Sequence, residues 1–285
     1  MTRMKWYAKT YIGVIMAFFY LPIFVLIAYS FNQSKSRAYF TGFTLDWYKQ
    51  LFTNSVILSS LLNTLIIAVV SALVATVIGT AAAVGLDRMR GALKAVILNF
   101  TYMPIINPDI ITGVSMMLLF TSIQAVALWL KSKTGVDLTF QYGYGTLILA
   151  HITFCIPYVI LNVMPKLRQI DPNVYEAALD LGCSEWQAYT KVVIPDIMPG
   201  IVAGLLTSVT MSLDDFIISY FVSGPNSQTL PITIFAMTRR KVSPEVNALS
   251  TIIFVVILAV LVIVNINDAQ RERAQRALRA REGRR

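Results

Sequence analysis

No charged side chain occurs between Lys9 and Lys35, between Lys49 and Asp87, or between Glu245 and Asp268. Uncharged runs of that length constrain the chain more than any single motif does. A helix rises about 1.5 Å per residue, so roughly 20 apolar residues cross the hydrocarbon core of a bilayer. Each run is long enough to hold at least one crossing, whereas a large soluble helical core does not produce such runs. The composition agrees: 14% of the 285 residues are charged and 56% are hydrophobic, against about 25% charged in a soluble domain. The expected fold is an all-α integral membrane protein.

Apolar length places six transmembrane helices near residues 12–29, 56–86, 95–129, 146–164, 197–222 and 248–266. The first is long and aromatic with no small-residue cleavage pattern after it, so it reads as a retained span rather than a signal peptide. The third region is too long for one straight helix and contains Pro104, Pro108 and Asp109. Proline removes a backbone donor and turns the preceding residue away from helix, so one crossing with a broken, partly interfacial entry turn is expected. Lysine and arginine set the orientation. With the N-terminus inside, sixteen of them fall on the cytoplasmic side and eight outside, which favours N-in/C-in. Residues 1–270 then form the six-span domain and 271–285 a basic cytoplasmic tail. The net charge of +9 is thereby topological, with the tail lying against anionic headgroups, and calls for no nucleic acid.

Few residues suggest chemistry. His151 is the only histidine, so histidines cannot assemble a metal site; it reads as a buried, hydrogen-bonded residue of its helix. Cys155 and Cys183 read as packing thiols. Gly200 and Gly204 have the spacing that lets two helices approach closely. No G-x-x-x-x-G-K-[ST] phosphate loop occurs, no nucleophile–base pair is apparent, and no catalytic site, metal or cofactor is expected in this chain.

The segment 171–195 is too polar for lipid. Asp171 followed by Pro172 is a helix start, Gly182 suits a left-handed stop after Leu181, and Ser184 with Gln187 forms a capping-box pattern for a second helix. That second helix is expected to end before Pro195. Two short helices about a glycine elbow should therefore project into the cytoplasm. Glu176-Ala177-Ala178, then Gly182, then Val192-Val193-Ile194-Pro195 resembles the EAA loop of bacterial ATP-binding-cassette importer permeases, whose consensus ends in I-x-L-P. Val192 and Ile194 are conservative departures. The resemblance extends along nearly the whole chain to the spermidine/putrescine permeases, through Ser212-Leu213-Asp214-Asp215, Phe221-Val222-Ser223-Gly224-Pro225, Ser243-Pro244-Glu245, Pro108-Asp109-Ile110, Tyr29-Ser30-Phe31-Asn32 and Trp47-Tyr48.

That resemblance implies a type I ABC importer permease (MetI-like) architecture in a bacterial inner membrane. It implies that Glu176, Ala177, Ala178, Gly182, Ile194 and Pro195 belong to a coupling element docked on a separate ATPase. The implied partners are an ATPase homodimer that binds ATP and Mg, a second homologous permease subunit and an extracytoplasmic polyamine-binding protein. Asp109, Asp214 and Asp215 are the acidic residues expected within the hydrocarbon layer. A carboxylate there costs about 2.5–3.5 kcal/mol on insertion scales and normally faces a partner or a water-filled path. A polyammonium cargo gives such a path a reason. Adjacent aspartates diverge by about 100° on a helix, so one of Asp214 and Asp215 is expected on the path, and each of the three is also open to capping a helix break. An importer of thiamine, iron or phosphonate, and a secondary transporter without an ATPase, are the competing readings.

Overall fold

The computed structural model describes residues 6–34, 39–240, 244–256, 258, 259 and 262, and every regular element among them is helical. In chain order these are α1 (Trp6–Ser30), α2 (Asp46–Thr53), α3 (Ser55–Arg88), α4 (Ala92–Ile106), α5 (Asp109–Thr134) and α6 (Tyr144–Leu167). After them come α7 (Pro172–Asp180), α8 (Glu185–Ala188), a π-helical turn (Tyr189–Val193), α9 (Ile194–Asp214), α10 (Ile217–Val222), α11 (Leu230–Arg240) and α12 (Pro244–Val256). Five helical stretches are long and apolar enough to cross a membrane: Lys9–Ser30, Ser55–Arg88, Asp109–Thr134, Tyr144–Leu167 and Glu185–Asp214. Helix α12 is the described part of the sixth expected crossing. Most of the remainder of that crossing, Ser243 and the basic tail lie outside the described residues.

Three expectations need correction. The entry to the third crossing is a complete helix, α4, rather than a turn; Asn107 and Pro108 are both extended (ψ 143° and 137°) and separate it from α5, as the steric demand of proline on its predecessor requires. The fifth crossing is not one helix from 197 to 222. It stops at Asp214 and restarts at Ile217. The second hairpin helix does not end before Pro195 either. It runs through it, as one apolar helical stretch from Glu185 to Asp214. Proline cannot supply the usual N–H to the residue four before it and its ring crowds that carbonyl. The chain meets this by widening into a π turn just upstream, where the Ile194 N–H reaches the Tyr189 carbonyl.

The described residues divide into two compact units, one within Met1–Leu58 and Ile234–Arg285 and the other Ser59–Thr233. In the first, α1 is apolar on all sides and its spanning window has no buried share, so its surface is made for lipid or another apolar chain. Just beyond α1, Trp47 Nε1 donates to the Asn32 carbonyl at 2.8 Å, and the Ser30 and Tyr48 hydroxyls lie 2.7 Å apart. The two sequence strings around Ser30 and Trp47 therefore fold against each other.

The second unit is organised around α6. One apolar cluster joins Leu147, Ala150, Phe154 and Cys155 of α6 to Ile67, Phe120 and Ile218; another joins Val159, Val163 and Met164 to Leu86, Val193 and Ile197. Small residues bring the neighbours close. A methyl group at Gly200 would meet the Asn162 carbonyl at 2.9 Å, and one at Gly204 would meet the Val159 Cα at 3.2 Å. A methyl at Gly79 of α3 would meet the Val159 Cβ from another side at 2.7 Å. Without a strong hydrophobic drive between helices in lipid, such close backbone approach supplies the packing energy. Cys155 is buried within the first cluster and Cys183 is half-buried; neither forms a disulfide.

Candidate functional site

The hairpin α7–α8 is assembled from local chemistry. The Asp171 carboxylate accepts the Asn173 N–H at 3.0 Å with Pro172 at the first helical position. At the other end Gly182 has φ +88°, a conformation that costs an L-residue about 1–2 kcal/mol. There the Gly182 N–H reaches the Leu179 carbonyl (2.9 Å) and the Cys183 N–H the Ala178 carbonyl (3.1 Å). Those paired bonds are a Schellman stop. Ser184 and Gln187 then close a reciprocal capping box at 3.3 and 3.2 Å. Every one of these signals is written in the sequence.

Glu176 and Ala177 are exposed on α7 while Ala178 is buried, and Ile194 and Pro195 sit where the hairpin passes into α9. The elbow displays two large apolar side chains that sequence reasoning did not single out: Leu181 is 87% exposed and Trp186 is 76% exposed. The tether was also missed. Arg88, at the end of α3, lies 4.0 Å from the ring centre of Tyr175, and its Nε donates to the Tyr189 hydroxyl at 2.9 Å. The two tyrosine rings are 5.1 Å apart. A guanidinium stacked on an aromatic face gains attraction as well as packing, so the hairpin is pinned to α3 beside the membrane. Desolvation, followed by the neighbouring Tyr189, holds the Tyr175 phenol above its ordinary pKa. The only hint in the sequence was an arginine closing the second crossing, with tyrosines in a later loop.

The expected path carboxylates fall into different settings. Asp215 is 6% exposed at its side chain. It occupies the break between α9 and α10, where its two oxygens accept the N–H groups of Ile218 (3.2 Å) and Ser219 (2.7 Å). A short acceptor that satisfies the first free N–H groups of a new helix competes with continuing the old one, which is why the fifth crossing breaks there. His151 of α6 closes the same cluster: Nδ1 lies 2.6 Å from the Ser212 hydroxyl, Nε2 3.1 Å from the Ser219 hydroxyl and 3.5 Å from Asp215 Oδ2. Asp214, one residue earlier, is exposed, and so is Asp109 at the start of α5. The ion pairs among the described residues, Lys49–Asp46, Lys131–Asp137 and His151–Asp215, include neither of them. Nor is any described group of three or more His, Cys, Asp and Glu side chains arranged to hold a metal ion.

Long apolar helices packed on α6 within the second unit, with a capped hairpin pinned to α3, are those of a polytopic membrane protein. The chain belongs to the family of binding-protein-dependent transport system inner membrane components, whose family model matches residues 75–276. It is 36% identical over 255 residues to the spermidine/putrescine transport system permease protein PotC of Haemophilus influenzae, covering 90% of this chain and 93% of that one. It is 37% identical over 252 residues to PotC of Escherichia coli K12 (88% and 90% covered). With the putrescine transport system permease protein PotI of the same organism the identity is 36% over 274 residues (93% and 92% covered). Among solved structures, a chain of a bacterial ABC transporter involved in the import of the acidic polysaccharide alginate superposes with a TM-score of 0.70 at 18% identity. The overlap covers 93% of this chain and 94% of that one. A second structure of an alginate transporter, in complex with a pentasaccharide-bound periplasmic protein, gives the same TM-score. At that identity the match speaks for the fold alone.

Proposed function

We propose that this chain is one of two homologous membrane subunits of an ATP-driven importer that carries spermidine, putrescine or both across a bacterial inner membrane. The observation that carries the cargo is the 36–37% identity, over about nine tenths of the chain, to permeases named for these polyamines. ATP and Mg belong to a separate ATPase pair, and an extracytoplasmic binding protein delivers the polyamine. The hairpin is the contact with the ATPase. Leu181 and Trp186 supply apolar anchors, Glu176 a charge for a basic partner, Ala177 a small exposed surface and Gly182 the elbow, while the buried Ala178 helps close the hairpin by accepting the Cys183 N–H. Ile194 and Pro195 pass its motion into α9.

The two exposed aspartates, Asp214 and Asp109, face the cationic cargo as it passes, and Asp215 acts from behind by holding the break that presents its neighbour. Carboxylates attract an alkylammonium chain without a deep pocket, which suits a path the cargo must also leave. The test is uptake of labelled putrescine and spermidine by the reconstituted complex, run on wild type, Asp214→Asn and Asp215→Asn. Polyamine uptake by wild type, with Asp214→Asn reduced at least tenfold, is the expected result. No polyamine uptake by wild type overturns the cargo, and normal uptake in both variants overturns the carboxylate path.

A further inference from the structure

The break in the fifth crossing has a mechanical setting that the hairpin alone does not explain. From Glu185 to Asp214 the chain is one helical rod of 30 residues, about 45 Å at 1.5 Å per residue. One end carries the elbow and the other ends at the exposed Asp214. The rod is seated on α6 through Gly200 and Gly204. Beyond the break, α10 also meets a different helix: a methyl at Gly113 of α5 would meet the Phe221 ring at 2.9 Å and the Ile217 carbonyl at 3.4 Å. The two halves of one crossing therefore differ in that α10 has a second seat on α5, while its Ile218 and Val222 also pack on α6; they are joined by the two non-helical residues Asp215 and Phe216. Left to itself, such a joint absorbs a push by bending.

Among the described residues, His151 is the one side chain outside the joint with hydrogen bonds to both halves: to Ser212 on α9 and Ser219 on α10, with Asp215 between them. It is 1% exposed, and Ser212 and Ser219 are also buried. Imidazole is suited to this place because its two nitrogens lie on opposite sides of a rigid ring and offer one donor and one acceptor in the neutral form. An apolar side chain of similar size would leave two buried hydroxyls and a carboxylate short of partners.

We infer that His151 is the pin of a hinge in the fifth crossing. It is a positioning residue, touching neither cargo nor nucleotide, that locks the angle between α9 and α10 so that motion of the hairpin is passed to α10 instead of being lost at Asp215–Phe216. This rests on the reading of the chain as an ATP-coupled permease.

The assembled importer in lipid vesicles tests it by counting polyamine taken up per ATP hydrolysed. His151→Ala is expected to keep ATP hydrolysis within twofold of wild type while uptake falls at least tenfold, and His151→Gln, whose amide can donate and accept, to recover uptake to within about threefold of wild type. Spin labels at Met198 on α9 and Tyr220 on α10 should give a narrow distance distribution in wild type and a broad one in His151→Ala. Uptake and hydrolysis lost in proportion, or a distribution as narrow as wild type, overturns the pin. Should His151→Ala fail to assemble, Ser219→Ala removes the outer bond alone and is held to the same outcomes with smaller changes. Failure of the underlying reading looks different: wild-type uptake would then proceed without ATP, or Gly182→Val would leave ATP-coupled uptake untouched.

Discussion

The hairpin α7–α8 and the break at Asp215 are both places where a helix is made to stop, and they differ in burial and in what backs the stop. At the hairpin, partners lie within a few residues of one another: Asp171 with Asn173, Ser184 with Gln187, Gly182 with Leu179. The elbow is exposed, and its bonds compete with water. At the break, Asp215 also caps locally, accepting from Ile218 and Ser219, but His151 joins it from more than 60 residues away on α6 and the cluster is buried among apolar helices, where an unmet polar group is far costlier. A local stop is modular and presents a surface. A non-local stop ties three helices together, and cannot be removed without disturbing all of them.

The comparison can be pressed hardest at the buried end. Asp215→Ala removes the α10 cap and leaves His151 and Ser219 short of a partner; a loss of about 3 kcal/mol is expected, read as a lowered midpoint of thermal unfolding for the purified permease pair. A variant as stable as wild type would show that the break stands without its cap. At the hairpin, Gly182→Ala forces a side chain into φ +88° at a cost of about 1–2 kcal/mol. Because the elbow is exposed, that cost should fall on ATP-coupled uptake while the midpoint stays within a degree or two. Arg88→Ala loosens the tether by about 1 kcal/mol and should reduce uptake a few-fold. Arg88→Lys should not restore it, since an ammonium cannot stack and donate through a planar fork.

The smallest effect belongs to an exposed pair outside the membrane. Lys131, by hydrogen bonding, holds the Asp137 carboxyl far below its usual range, with Thr139 assisting. A depressed carboxylate adds stability that is present above its unfolded pKa and lost only as pH falls through the lower folded one. Lys131→Ala should therefore leave uptake unchanged between pH 6 and 8, and a clear change there would mean that this loop does more than hold its own shape.

What could be read from the sequence follows the same division. The caps of the hairpin, the elbow at Gly182 and the close approach at Gly200 and Gly204 were legible because each depends on residue type at a fixed local spacing. The break before α10 was not, because Asp214-Asp215 inside an apolar run resembles a path feature as much as a cap. Only the fold brings His151, Ser212 and Ser219 to the same point. The passage of the helix through Pro195 was missed for a different reason: proline signals a stop, and the π turn that accommodates it has no sequence signature of its own. Arg88 was counted for topology, and its stacking partners lie about 90 and 100 residues further along the chain.

The proposed transport is coupled through Gly182 and guided by Asp214. The most direct measurement is time-resolved uptake of labelled spermidine and putrescine into vesicles holding the complete importer, with ATP hydrolysis followed in the same sample. Saturable polyamine uptake that requires ATP is expected, with Asp214→Asn cutting uptake at least tenfold while hydrolysis continues. Uptake that ignores ATP, or that passes at full rate through Asp214→Asn, would contradict it.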